Sequence, residues 1–226
     1  MTPLPPDIHG VLFDLDGTLL DSAADLYGAL VELCAEEGEA APAYEVVREV
    51  VSRGSTAILQ QGFPRRDEAA RKALLPRYLA LYQRVMARQT RPFDGVDALL
   101  DGLERHGLRW GIVTNKPGFL TDELVHRVGW AERAVAVVSG DTLPVKKPDP
   151  APVRLACERA ALDPARCVFV GDDRRDVLAG AAAGLYTVAV GWGYLDGGNP
   201  REWGADAVVD APAQLAALLL PSPVAA

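Results

Sequence analysis

The chain has 226 residues, a length between one small domain and two full ones, and 49% of them are hydrophobic, enough to bury a sizeable core. Its net charge of −8 argues against a nucleic-acid or anionic-membrane partner, because phosphate backbones demand a basic patch. An anionic small molecule remains admissible where the site itself is cationic. Cys34, Cys157 and Cys167 lie far apart without metal-ligand spacing, as expected of reduced, buried thiols in a cytoplasmic protein.

The first ten residues carry Pro3, Pro5 and Pro6 and no charged-then-apolar leader pattern. An apolar run over 11–15 predicts a buried strand, and it ends in Asp14 and Asp16. Side chains alternate along a strand, so acids at i and i+2 share a face. Gly17 follows where the chain must turn. Two acids at the end of an inner strand are costly unless a cation or chemistry needs them. From 21 to 91 no convincing strand appears. Helices are predicted over 21–37, 44–51, 55–61 and 67–88. Asp21 or Ser22 can cap the first, and Pro76 is expected to kink or interrupt the last.

After residue 92 short apolar runs alternate with helical patterns. Strands are predicted over 110–114, 134–139, 168–171, 187–190 and 207–209. Helices are predicted over 96–106, 119–128, 152–161, 174–183 and 213–220, with Gly107, Gly129 and Gly184 among the stops. Residues 177–195 carry no charge and are long enough to span a bilayer, but the period changes at Gly184, so a helix, a stop and a strand are expected there. Strand–helix alternation predicts an α/β fold, a doubly wound parallel sheet with right-handed crossovers. Ligands bind such sheets beyond the carboxyl ends of the strands. The expected division is an α/β core, 1–20 and 92–226, and a helical cap, 21–91. That insertion begins just past Asp14 and Asp16, which places it over the site as a lid that excludes water.

Three further strand ends or loops carry polar groups. They are Thr114-Asn115-Lys116-Pro117, Lys146-Lys147-Pro148-Asp149-Pro150 and Gly171-Asp172-Asp173-Arg174-Arg175-Asp176. Each alone has a plain explanation: an ordinary turn, a solvated loop charge, and acids favoured by a helix N-terminus. Taken in order with Asp14-x-Asp16-Gly17-Thr18-Leu19, they resemble the four motifs of the haloacid dehalogenase-like hydrolases.

That resemblance implies a Rossmann-like core, a helical cap between the first strand and the rest, and a Mg²⁺ cofactor. Asp14 would attack phosphorus, and Asp16 would serve as general acid and then as base. Thr114 would hydrogen-bond a phosphate oxygen, while Asn115 would contact the phosphate or orient the loop. Lys147, rather than Lys146, would neutralise the phosphate and Asp14. The implied metal residues are Asp14, Asp16 and Asp172, with Asp176 acting through a water or by fixing the loop. Asp173 has no assigned role. Mg²⁺ is a hard ion that suits carboxylates from separate strands.

Residues 50–54, 111–117, 139–144 and 170–176 further resemble the phosphoglycolate phosphatase branch. Gly191-Trp192-Gly193-Tyr194 and Trp203-Gly204-Ala205-Asp206 look closer to a sub-branch that includes N-acetylmuramic acid 6-phosphate phosphatases. The implied substrate is a small carboxylated phosphate monoester, 2-phosphoglycolate first and N-acetylmuramic acid 6-phosphate as the alternative. A sugar phosphomutase would share the same parts. A dehalogenase proper would not need Asp16, and a phospho-acceptor signalling module would leave 21–91 unexplained. Arg53, in a loop between two predicted helices, is the cap candidate for clamping a carboxylate. Both candidate esters carry one, so Arg53 does not separate them. A monomer or weak homodimer is expected.

Overall fold

In the computed structural model, which describes residues 2–220, the chain enters the sheet at β1 (Gly10–Phe13), buried at every position. Residues 1 and 221–226 of the expected core lie outside the described residues. After the turn at Gly17 come β2 (Leu20–Asp21), α1 (Ala23–Glu36), α2 (Tyr44–Glu49), a 3₁₀ turn (Val51–Arg53), α3 (Ser55–Gly62) and α4 (Glu68–Val85). The chain then returns through β3 (Arg91–Pro92), which pairs antiparallel with β2. This small pair is not anticipated from the sequence, since two residues a strand leave no period to read. Buried Asp25 of α1 secures the return by accepting hydrogen bonds from the backbone of Gln89 and Thr90 and from the Thr90 hydroxyl.

The remainder alternates: α5 (Val96–Arg105), β4 (Arg109–Val113), α6 (Gly118–Arg127), β5 (Val137–Val138), α7 (Ala151–Arg159), β6 (Cys167–Gly171), α8 (Arg174–Ala183), β7 (Tyr186–Val190), β8 (Ala207–Val209) and α9 (Pro212–Leu219). The six-stranded sheet runs β5-β4-β1-β6-β7-β8 and every pairing in it is parallel. The fold is therefore α/β and doubly wound. Val11 and Phe13 pack into one apolar cluster, and Leu12 into a second with Val113, Phe169 and α7 residues, so both faces of β1 are covered. Strand order reverses direction around β1. The crevice beyond the ends of β4, β1 and β6 is thus the topological switch point where ligands bind.

Three local expectations are corrected. Pro76 does not interrupt α4, which runs 18 residues through it. The proline lies on the solvent side, where the Lys72 carbonyl it leaves unpaired can be hydrated, while Leu74, Tyr78, Leu81 and Tyr82 of the other face are buried. β5 shrinks from the expected 134–139 to two residues, because an edge strand is held on one side only; Val135 and Ala136 still exchange backbone hydrogen bonds with Trp110 and Ile112. Ser22 is the N-cap of α1, but its side chain makes no capping bond. The Tyr194 hydroxyl accepts the Ser22 and Ala23 N–H groups instead, at 2.7 and 2.9 Å. In residues 177–195, α8 stops at Gly184 and β7 begins at Tyr186, and no helix among the described residues is long and apolar enough to cross a membrane.

Candidate active site

Three neighbouring strands deliver polar side chains to one edge. Asp14 follows β1, and its N–H still donates to Val170 O at 2.9 Å, so strand pairing fixes it. Thr114 follows β4 and is anchored through its N–H to Val138 O. Asp172 follows β6 and is fully buried. Gly17 adopts φ +90°, and a Cβ there would lie 2.1 Å from Asp172 Oδ2. Only glycine lets the turn after β1 press against that carboxylate.

Lys147 reaches the same point from the loop before α7. Its Nζ lies 2.7 Å from Asp14 Oδ1 and 2.7 Å from Asp176 Oδ1, with the side chain 2% exposed. Asn115 positions this lysine. Its amide donates to Lys147 O at 3.0 Å and its carbonyl accepts from Lys147 N at 3.1 Å. Asn115 thereby ties the Lys147 loop to the end of β4. Asp173 and Asp176 form a reciprocal capping box at the start of α8, and Arg175 braces Asp173 with two hydrogen bonds.

Carboxylate oxygens of Asp14, Asp172 and Asp176 lie within 4.8 Å of one another. Burial and the neighbouring Asp14 charge push the Asp172 carboxyl from its ordinary 3.8 up to about 7. Burial likewise drives Asp176 well up, more than Lys147 draws it down. Burial works against the Lys147 ammonium too, but Asp14 and Asp176 outweigh it and hold its pKa above the usual lysine range. Three buried carboxylates around one ammonium are short of positive charge. An all-oxygen donor set of this kind fits a hard divalent cation.

The carboxylate cluster takes in Asp176, and the Asp16 side chain lies outside it. Asp16 turns its side chain elsewhere: both oxygens lie 3.1 Å from Lys116 Nζ, and Ser22 Oγ donates to Oδ1 at 2.5 Å. The alternation that puts i and i+2 on one face holds only while the strand lasts, and β1 ends at Phe13.

A cavity of about 260 Å³ opens onto these groups. Its lining combines Asp14, Asp16, Thr114, Lys116, Lys147 and Asp176 with apolar groups: Leu26, Ile58, Leu75, Leu79 and Tyr82 of the inserted helices and Leu120 of α6. The insertion also touches the acids directly. Ser52 Oγ donates to Asp172 Oδ2 at 2.7 Å, and Arg175 donates to Ser52 O at 2.6 Å. Arg53 sits on the rim with its side chain 49% exposed, 3.6 Å from Asp196.

Four residues of this region carry no assignment from the sequence: Lys116, Ser52, Arg175 and Tyr194. Lys116 and Arg175 stand inside motifs already singled out, so their neighbours were the available signal. Ser52 and Tyr194 also lie in segments noted above, but their partners are 120 and 172 positions away, so nothing local states the contacts they make.

A family model described as haloacid dehalogenase-like hydrolase matches residues 11–190. A phosphoglycolate phosphatase from Xanthomonas campestris pv. campestris is 45% identical over 208 residues, 92% of this chain and 94% of that protein. An N-acetylmuramic acid 6-phosphate phosphatase from Pseudomonas aeruginosa is 41% identical over 210 residues, 92% and 93% of the two chains. The crystal structure of a predicted phosphoglycolate phosphatase from Haemophilus somnus 129PT superposes with a TM-score of 0.84 at 24% identity, covering 92% of this chain and 96% of that one, which shows a shared fold.

Proposed function

The chain belongs to the haloacid dehalogenase-like hydrolase family and is a phosphoric monoester hydrolase, and from that premise we propose that it acts on a small carboxylated ester, 2-phosphoglycolate first, through an aspartyl-phosphate formed on Asp14. The observation that carries this reading is the convergence of Asp14, Thr114 and Lys147 on a cavity that also contains Asp16.

In this reading an Asp14 oxygen attacks phosphorus in line while the phosphorus–ester oxygen bond breaks, and Asp16 gives its proton to the departing alkoxide. Asp16, now a carboxylate, takes a proton from water as that water attacks phosphorus and displaces Asp14. Phosphate leaves with Asp14 free and Asp16 protonated again. Lys147 and the Thr114 hydroxyl hold phosphoryl oxygens as charge develops on them. Mg²⁺ held by Asp14, Asp172 and Asp176 would supply the positive charge that Lys147 alone does not. Residues 21–91 act as a cap whose apolar wall keeps bulk water from the phosphoenzyme.

Phosphate release from 2-phosphoglycolate and from N-acetylmuramic acid 6-phosphate tests the substrate. We expect kcat/KM in Mg²⁺ to favour 2-phosphoglycolate by at least ~10-fold, within the range one good polar contact supplies. The second ester draws support from the apolar wall, which its acetyl and methyl groups would cover, and from the Pseudomonas relative. A reversed ratio would install it; no turnover of either would reject the substrate class.

The acid cluster makes a separate prediction, read without turnover. Between about pH 4 and 7 the folded protein keeps a proton on Asp172 that the unfolded chain has released. The stability from this group is complete below its ordinary 3.8 and disappears as pH rises through about 7. A divalent cation competes with that proton, so Mg²⁺ should raise Tm more at pH 8 than at pH 5. Equal increments at the two pH values would place the ion elsewhere.

A further inference from the structure

Lys116 is a buried ammonium that the steps above do not use. Its side chain is 5% exposed, and it faces the cavity beside Asp16. Nζ donates to both Asp16 oxygens at 3.1 Å and to the Tyr82 hydroxyl at 2.9 Å, and it lies 4.5 Å from the centre of the Tyr82 ring. Asp16 is its one ionic partner among the described residues. Asp16 keeps the Ser22 hydroxyl as a second partner, so it is not orphaned if Lys116 turns away.

We propose that Lys116 is the specificity-determining cation for the substrate carboxylate, exchanging Asp16 for that carboxylate when the ester binds. The site is then selective for esters whose carboxylate stands one carbon from the ester oxygen. This rests on the reading of Asp16 as the acid that protonates that oxygen. A working acid must lie about 2.6–3.2 Å from its target. Lys116 Nζ is 3.1 Å from the same carboxylate, so it is a neighbour of the ester oxygen. In 2-phosphoglycolate the carboxylate oxygens are three covalent bonds from the ester oxygen, roughly 3 Å away at ordinary bond lengths. In N-acetylmuramic acid 6-phosphate the sugar ring separates the two groups, and Lys116 cannot meet the carboxylate while Asp16 serves the ester oxygen. Arg53, the candidate from the sequence, is half exposed and paired with Asp196, where water weakens any contact it makes. Lys116 makes its contact where water is excluded, so an unmatched substrate leaves more unsatisfied.

The test compares 2-phosphoglycolate with ethyl phosphate, which has the same carbon count and no carboxylate, in wild type, Lys116→Met, Lys116→Arg and Arg53→Ala, all with Mg²⁺. We expect wild type to prefer 2-phosphoglycolate and Lys116→Met to lower that kcat/KM ratio at least ~30-fold, mainly through KM. Lys116→Arg restores part of the ratio, and the fall in Arg53→Ala is smaller than in Lys116→Met. A wild-type ratio in Lys116→Met, or a larger fall in Arg53→Ala, overturns the proposal and leaves the phosphatase reading standing. Wild type that hydrolyses ethyl phosphate without preferring 2-phosphoglycolate overturns the carboxylated-substrate reading and this assignment together. Circular dichroism and Tm establish that each variant is folded. If Lys116→Met is not, Lys116→Gln and Tyr82→Phe replace it: both must lower the ratio, and a wild-type ratio in both overturns the proposal.

Discussion

Asp14→Asn protein is expected to release phosphate at least ~10⁴-fold more slowly than wild type, the usual consequence of removing a covalent nucleophile whose partners act only through it. The substitution is nearly isosteric, so the strand, the cavity and the Lys147 side chain stay in place. What changes is charge. An amide is a poor nucleophile, and the cluster loses one of its three carboxylates. That second effect has its own signature. Asp14 is one of the charges that push the Asp172 and Asp176 carboxyls upward, so the metal-free variant should be more stable than metal-free wild type at neutral pH. Activity and Tm therefore move in opposite directions. A rate within tenfold of wild type would remove Asp14 as the nucleophile; an unchanged or lower Tm without metal would mean the cluster is not short of positive charge.

Lys147→Met reverses the second sign. The lysine is the single ammonium between Asp14 and Asp176, and its side chain is almost entirely out of water. Removing one partner of a buried ion pair leaves an uncompensated charge and costs about 3–5 kcal/mol. Denaturant unfolding at pH 7.5 should show a loss of that size. The loss should shrink as pH falls, because protonation of the raised Asp172 and Asp176 carboxyls removes charge that would otherwise need a counter-charge. A loss below about 1 kcal/mol at pH 7.5 would mean that these acids are already neutral there.

The chemistry of the strand ends is legible in the sequence because each depends on local spacing. An apolar run stopping at an acid, a threonine or Gly-Asp states its own position and its own polarity. The same logic fails past the end of β1. Asp16 lies beyond the last residue of the strand, and its orientation is set by Lys116, a hundred positions along the chain. Lys116 is hidden by its surroundings in the sequence, where Thr-Asn-Lys-Pro reads as an ordinary turn; the Tyr82 that packs against it belongs to α4 of the insertion. Ser22 looks like a helix cap and has the right position, but a short acceptor at Asp16 competes for its hydroxyl. The cap it would have made is supplied by Tyr194 from the loop after β7. Pro76 is misleading for the opposite reason. A proline penalty is local, whereas the apolar face of α4 is buried along its whole length, and packing outweighs one missing hydrogen bond.

The placement of β1 has a mechanical consequence. It is hydrogen-bonded on both edges, to β4 and β6, and covered on both faces, so its amides can be released only when the sheet comes apart. The inserted helices are joined to that sheet by two chain crossings, through β2 and β3. A unit on two tethers can swing on the microsecond-to-millisecond scale of hinge motions. In the cap reading proposed above, the two halves of the catalytic pocket answer to different constraints: the inserted helices swing on their tethers to admit ester and discharge phosphate, while Asp14 is held by a strand paired on both edges.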